Sequence, residues 1–425
     1  GCAGAKPPPT PILRGLPFIS DDYPRALAEA KQRKLPLFID AWADWCHTCR
    51  FMKSHVLVRE ELTPHAGRFV WLEVDTEKEK NAAFLEKHPI EVWPTFLVID
   101  PATETEVFRW VGSATVEQLT KLFDDAHRAW QNPYGAGANG ALLRADRSFA
   151  QKHYAEAART YREALLLSTG EWPKRGRAVE SLLFAHYSAK ELEPCAQAAA
   201  DLAPTLSRGP SFANAVVMGL SCALAGEGNW RDEALAVLEP LAVEAVSAPG
   251  LLADDRSGVF DVLVELRKKA KDEAGARKWA SQWLTFLEAE AAKTPTVEAR
   301  AAFDSHRLVA ALELKAPERV LEALTQSERE LPHDSNPPAR LAIAYRELGR
   351  LDEALAAVER ALGKVAGPRR IRVLETKASV LERKGDTAGA RKTLEEALFF
   401  AQSLPAPQRS ATSQVRLQAA LKKLP

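Results

Sequence analysis

Two cysteines stand three positions apart in Trp45-Cys46-His47-Thr48-Cys49. That spacing lets a dithiol close into a small disulfide ring. It suits redox exchange when the pair opens a helix, because unpaired N–H groups and the helix dipole stabilise a thiolate at the first sulfur. Cys46 is then the expected attacking thiolate and Cys49 the residue that resolves the mixed disulfide. His47 places a titratable cation beside that thiolate, or is a solvated helix residue with little effect. Two other chemistries use the same spacing. Structural zinc takes a second ligand pair, and no further C-x-x-C or H-x-x-x-H follows; His55 and His65 form no ligand pattern, so no metal is expected. A purely structural disulfide is the other reading.

Such a pair must be held by a strand before it and a helix after it. Leu35–Trp42 is a short apolar run ending just ahead of the cysteines, and Cys46–Glu61 has helical periodicity. Phe69–Val74, Thr95–Ile99 and Glu106–Val111 read as further strands. Tyr23–Lys34, Glu79–Lys87 and Val116–Trp130 read as helices. A βαβ unit followed by a hairpin and a closing helix predicts a compact α/β domain. Gln131–Gly140 (QNPYGAGANG) then breaks the pattern as a linker, and Ala141–Leu424 shows helical periodicity alone.

The helical part repeats itself at spacings of roughly 34–44 residues. The clearest cores surround Ala157, Ala354 and Ala390, each followed four and seven positions later by a packing residue and an alanine: Tyr161 and Ala164, Val358 and Ala361, Leu394 and Ala397. Weaker copies centre on Ala196, Ala234, Ala276 and Val320. A small residue at the repeat core lets two antiparallel helices approach closely. Cys195 and Cys222 fall on successive helices of this region, either paired or packed as buried free thiols, and buried thiols are the expectation.

Composition bounds the function. Of 425 residues, 57 are Lys or Arg and 57 Asp or Glu, a formal net charge of +0, which disfavours a nucleic-acid binder. The longest apolar stretch, around Ala213–Ala225, is too short to span a bilayer.

The segment Asp40-Ala41-Trp42-Ala43-Asp44-Trp45-Cys46-His47-Thr48-Cys49-Arg50 resembles the active site of the thioredoxin superfamily. The Ala43-Asp44-Trp45-Cys46 wording is most similar to the C-terminal thioredoxin domain of the thiol:disulfide interchange proteins. The resemblance implies a thioredoxin fold over residues 17–130, with Asp40 as a buried acid serving proton transfer at Cys49. It also implies Trp93-Pro94 as a cis-proline loop that offers backbone to an extended substrate, and Gly112 beside the active site. Trp42 and Trp45 read as core, as the rim of that site, or as both. One departure stands out: Phe69–Val74 contains no Lys, whereas thioredoxin pairs its buried acid with one. Desolvation alone predicts a raised pKa at Asp40.

Residues 141–425 resemble a tetratricopeptide-like helical array, implying a protein partner docked on its concave face. Gly1-Cys2, followed by Pro7, Pro8, Pro9 and Pro11, resembles the end of a bacterial lipobox, implying a lipid on Cys2 and a tether over residues 1–16. Together these predict a thiol–disulfide oxidoreductase acting on protein thiols or disulfides. It would need no cofactor beyond the Cys46–Cys49 pair, touch no nucleic acid, and meet the membrane only through that lipid, in the periplasm of a Gram-negative bacterium. The competing class is a binding protein whose dithiol seldom turns over. The direction of electron flow stays open: the resemblance favours reduction of substrates, and a His in the dipeptide favours a more oxidising pair.

Overall fold

A computed structural model describes residues 15–132, 135–169 and 171–425; Cys2 and most of the proline-rich tether lie outside them. The first domain is a five-stranded sheet in the order β1-β3-β2-β4-β5. Its strands are β1 (Ile19–Ser20), β2 (Leu37–Trp42), β3 (Val70–Asp75), β4 (Thr95–Asp100) and β5 (Thr105–Val111). β1 and β2 flank β3 in parallel, while β4 runs antiparallel to both β2 and β5. β1 is only two residues long, too short to leave a periodic signal.

Helices cover both faces of this sheet, which is why β2 reads as a continuous apolar run rather than an alternating one. On one face Phe38, Phe69, Trp71, Phe96 and Phe123 interlock with ring centroids 5.0–5.9 Å apart. On the other, Leu37, Ile39, Leu72, Val74 and Leu97 pack with Ala26 and Ala30 of α1 (Tyr23–Arg33). The helix expected over Cys46–Glu61 is divided. α2 (His47–Phe51) gives way to a π-helical turn at Met52–Val56, and a separate 3₁₀ segment follows at Glu60–Arg68. Pro64, which offers no N–H for a helical ladder, lies in that last segment. α3 (Ala82–Lys87) precedes β4, and α4 (Val116–Gln131) closes the domain from a Thr115/Gln118 capping box.

The break between the two parts is shorter than Gln131–Gly140. α4 runs through Gln131 and α5 begins at Gly137, because Ala141, Leu142 and Ala145 bury against the next helix and draw the preceding turn into the helix. Seven helical hairpins follow among the described residues. They pair α5 (Gly137–Ala150) with α6 (Tyr154–Leu167), α7 (Arg175–Ser188) with α8 (Leu192–Leu202), and α9 (Pro210–Ala225) with α10 (Asn229–Ala245). Next come α11 (Ala253–Lys269) with α12 (Glu273–Ala292) and, after a short α13 (Val297–Ala301), α14 (Asp304–Glu313) with α15 (Leu321–Glu330). The last are α16 (Asn336–Glu347) with α17 (Leu351–Leu362) and α18 (Arg369–Arg383) with α19 (Thr387–Ser403); α20 (Ala411–Lys423) packs on the end. Ala157, Ala196, Ala234, Ala276, Val320, Ala354 and Ala390 are all buried on, or just before, the second helix of their hairpin.

Six of the hairpin turns share one backbone device. Two residues past the end of the first helix, the chain takes a positive φ: Lys152 (65°), Lys190 (63°), Lys271 (57°), Lys315 (54°), Gly349 (72°) and Gly385 (83°). The left-handed residue ends one helix and reverses the chain into the next.

The first helix of every hairpin faces the sheet domain. Ala141 and Leu142 of α5 share a core with Val111, and Arg177 of α7 lies 5.4 Å over the Phe108 ring. Gln118 donates to Ser211 of α9 at 3.5 Å, and Ser113 donates to Asp255 of α11 at 2.5 Å. The His306 ring of α14 lies tilted against His47, Asn336 of α16 donates to the Asp44 carbonyl at 3.2 Å, and the Arg369 N–H of α18 donates to Glu77 at 2.7 Å. Gln408, beyond the last hairpin, donates to the Thr76 and Lys78 carbonyls, each at 3.0 Å. The face expected to hold a protein partner therefore holds this chain's own first domain. The apolar and ionic surface that such a face needs to bury is supplied in cis.

Candidate active site

Cys46 and Cys49 form a disulfide with Cα atoms 5.2 Å apart. Cys46 is the N-cap of α2, and the Cys49 N–H donates to its sulfur at 3.1 Å. When the pair opens, that N–H points at the Cys46 sulfur and favours its thiolate. The two sulfurs sit with Ala43 in a pocket of aromatic rings formed by Trp42, Trp45 and Trp93. Cys46 is 5% exposed and Cys49 1%.

The predicted rim is assembled here. Trp45 and Trp93 meet edge to face at 5.3 Å; their indoles donate to Glu77 and to the Thr76 hydroxyl, each at 2.8 Å. The Trp93–Pro94 peptide is cis. Gly112 donates its N–H to the Pro94 carbonyl at 2.9 Å and has φ 91°, a conformation that a side chain would strain. The helical array adds Arg369, whose guanidinium lies 5.5 Å over the Trp45 ring.

Asp40 lies inside β2, 2% exposed, with Oδ1 free of any hydrogen bond among the described residues. Burial pushes its pKa up to about 7; the nearby Lys53 opposes the shift and Glu73 reinforces it. A carboxyl poised there can take or give a proton near neutrality. The lysine that β3 lacks comes from elsewhere. Lys53, in the π turn, sits 4.2 Å over the Trp42 ring and ion-pairs with Glu73, the β3 residue in register with Asp40.

Reading the sequence missed what meets the dipeptide. His47 Nδ1 donates to Asp254 Oδ1 at 2.7 Å, and the Thr48 hydroxyl donates to Asp254 Oδ2 at 2.7 Å. The His306 ring lies tilted against that of His47, centroids 3.7 Å apart; its Nδ1 accepts from Ser257 at 2.5 Å, and Ser257 in turn accepts from Trp283 at 2.6 Å. Asp254, first of all by coulombic attraction, counters burial and raises the His47 pKa, while burial and the His47 charge lower that of His306 to about 3. Asp254 itself is held at about 2 by His47. His47, Asp254 and His306 bring nitrogen and oxygen ligand atoms within 4.8 Å of one another. Both Asp254 oxygens, the His47 Nδ1 and the His306 Nδ1 already take part in hydrogen bonds. Only the paired acids Asp254-Asp255 were visible in the linear chain, and nothing there ties them to His47.

Cys195 and Cys222 are joined, with Cα atoms 6.2 Å apart, which corrects the expectation of free thiols. Both face the same gap between α8 and α9 and are fully buried, so the two sulfurs have one another as neighbours.

A parallel–antiparallel sheet, a dithiol at a helix start, a buried acid on the strand that leads to it and a cis-proline after Trp93 of the dithiol pocket define a thioredoxin-fold domain, here followed by an all-α helical-hairpin array. Residues 19–101 are a thioredoxin-like domain, matching the family model described as Thioredoxin-like. An H-type thioredoxin of Oryza sativa is 33% identical over 86 residues, 20% of this chain and 66% of that protein. The thiol:disulfide interchange protein DsbD of Pseudoalteromonas atlantica is 28% identical over 82 residues, 19% of this chain and 14% of its own length. The chain thus spans less than two thirds of either relative. A tetratricopeptide repeat protein of Parabacteroides merdae covers 68% of this chain and 98% of its own, at 10% identity and a TM-score of 0.44.

Proposed function

We propose that this protein is a thiol–disulfide oxidoreductase acting on protein substrates, with Cys46 as nucleophile, Cys49 as resolving thiol and Asp40 as proton acceptor at Cys49. The observation that carries this reading is the Cys49 N–H aimed at the Cys46 sulfur, with a cis-proline after Trp93 of the dithiol pocket and a buried carboxyl on the strand leading to the dithiol. In the reducing direction the Cys46 thiolate attacks a substrate disulfide, one substrate sulfur leaves as thiolate, and Cys49, losing its proton to Asp40, attacks Cys46 Sγ to release the second. The chemistry draws on the Cys46–Cys49 pair and on no other cofactor. Trp45, Trp93, Pro94 and Gly112 form the substrate-facing rim.

A location outside the cytoplasm, with a lipid on Cys2, belongs to the same proposal. The buried Cys195–Cys222 bridge supports it, since such bridges persist in oxidising compartments. A docking partner would meet the outer helices of the array. A second reading, a binding protein whose dithiol seldom turns over, is favoured by the 5% exposure of Cys46.

The deciding experiment is a redox titration of the full chain in glutathione buffers, read at the Cys46–Cys49 peptide by alkylation and mass. A reversible transition supports the oxidoreductase. A pair that stays closed at every poise leaves the binding protein.

A further inference from the structure

One carboxylate from the helical array holds both residues between the cysteines. Asp254, at the start of α11, accepts from His47 with one oxygen and from Thr48 with the other, each at 2.7 Å. It is 5% exposed and lies far along the chain from the dithiol. From these contacts we infer that Asp254 is a positioning residue that sets the redox potential of the Cys46–Cys49 pair through His47, so that the array tunes the reaction of the first domain. The inference rests on the oxidoreductase reading above.

The groups facing His47 decide the sign. Asp254 and Asp261 of α11 favour its charged form, while Arg340 of α16 and burial oppose it. His306 of α14 stays neutral, with its Nδ1 accepting from Ser257, and so adds no competing cation. With Asp254 in place His47 keeps its proton beyond its ordinary range and stands as a cation next to Cys46. A cation there stabilises the thiolate of the reduced pair and not the uncharged disulfide, and stabilising the reduced form makes the couple more oxidising. Removing the carboxylate charge lets His47 lose its proton at neutral pH, and the couple becomes more reducing.

The test is the glutathione equilibrium of the full chain at pH 7 for wild type, Asp254→Asn, His47→Gln and the double variant. Asn keeps the size of Asp254 and one acceptor for His47. The expected result is a disulfide at least tenfold harder to reduce in Asp254→Asn, about 30 mV for this two-electron couple. His47→Gln should shift it in the same direction, and the double variant should move less than twofold beyond His47→Gln. The wild-type potential plotted against pH should bend at the raised His47 pKa, and that bend should be missing in Asp254→Asn.

An Asp254→Asn equilibrium within twofold of wild type overturns the inference, as does a shift toward oxidising potential or an undiminished effect in the His47→Gln background. A wild-type pair that never opens overturns the oxidoreductase reading and this inference with it; a pair that cycles unaltered in Asp254→Asn overturns the inference alone. If Asp254→Asn does not fold, His47→Gln decides by itself: an unchanged potential there removes the route through which Asp254 acts.

Discussion

Arg50, the residue after Cys49, reaches Asp334 ahead of α16 at 2.7 Å, with both side chains largely buried. The active-site helix is thus fastened to the array by an ion pair as well as by apolar packing. Phe51 meets Phe303 at 5.8 Å, and His55 donates to the Ala299 carbonyl at 2.9 Å. Removing one partner strands the other charge away from water. Asp334→Ala is expected to cost roughly 3 kcal/mol in urea unfolding, somewhat less if Asp44, 3.5 Å from Arg50, takes up the charge. A change below about 0.5 kcal/mol would show the pair to be solvated.

Asp40 makes stability fall with rising pH. Its folded pKa of about 7 lies above the unfolded value near 3.8, so the native state holds a proton that the unfolded chain has lost. This contribution is complete below about pH 4 and gone above about pH 7. Asp40→Asn should flatten the stability profile across that window, raise stability at pH 8, and slow thiol exchange about tenfold or more at pH 7. Denaturant titrations at several pH values and insulin-type disulfide reduction read the two effects separately.

The dithiol mechanism assigns unequal roles to its cysteines. Cys46→Ser should abolish disulfide reduction, and Cys49→Ser should accumulate mixed disulfides through Cys46 that survive denaturing gels without reductant. Full activity in Cys46→Ser would exclude it as the nucleophile.

Much of the first domain was legible because its signals are local. β2, β4 and β5 are short apolar or alternating runs, and the Cys46–Cys49 spacing, Asp40 and Trp93-Pro94 all lie within one fold's length of chain. The repeat cores were legible for the same reason: Ala157, Ala354 and Ala390 each carry their partners within seven residues. What escaped depends on superposition of distant segments. Asp254, His306, Asn336 and Arg369 reach the dithiol only because the hairpins wrap the first domain, and no periodicity encodes that contact. Lys53 escaped differently: the thioredoxin resemblance puts the lysine on β3, whereas the π turn after α2 supplies it. The Cys195–Cys222 pairing required knowing that α8 and α9 place both sulfurs in one gap.

That second bridge encloses a short loop of chain, with a sequence separation of 27. Cross-linking a loop of that length restricts the unfolded ensemble by roughly 3–4 kcal/mol. A Cys195→Ala/Cys222→Ala variant should lose about that much in thermal or denaturant unfolding, with the glutathione equilibrium of Cys46–Cys49 unchanged.

Lysine at a left-handed turn carries a backbone cost that glycine does not. Lys271, exposed at φ 57°, occupies the place that Gly349 and Gly385 hold in later hairpins. Lys271→Gly is expected to stabilise the chain by up to about 1 kcal/mol, read as a rise in melting temperature. A fall in melting temperature would mean that the lysine side chain contributes more than the turn costs.

The contacts around Trp45 and Glu77 join segments far apart in the chain: the Arg369 N–H meets Glu77 across 292 residues, and Gln408 meets the Thr76 and Lys78 carbonyls across 332 and 330. The cover on this flank of the dithiol therefore belongs to the array and not to the first domain. A polypeptide cut ahead of α18 loses the Arg369 guanidinium over the Trp45 ring, and Cys46 then sits beside a more open rim.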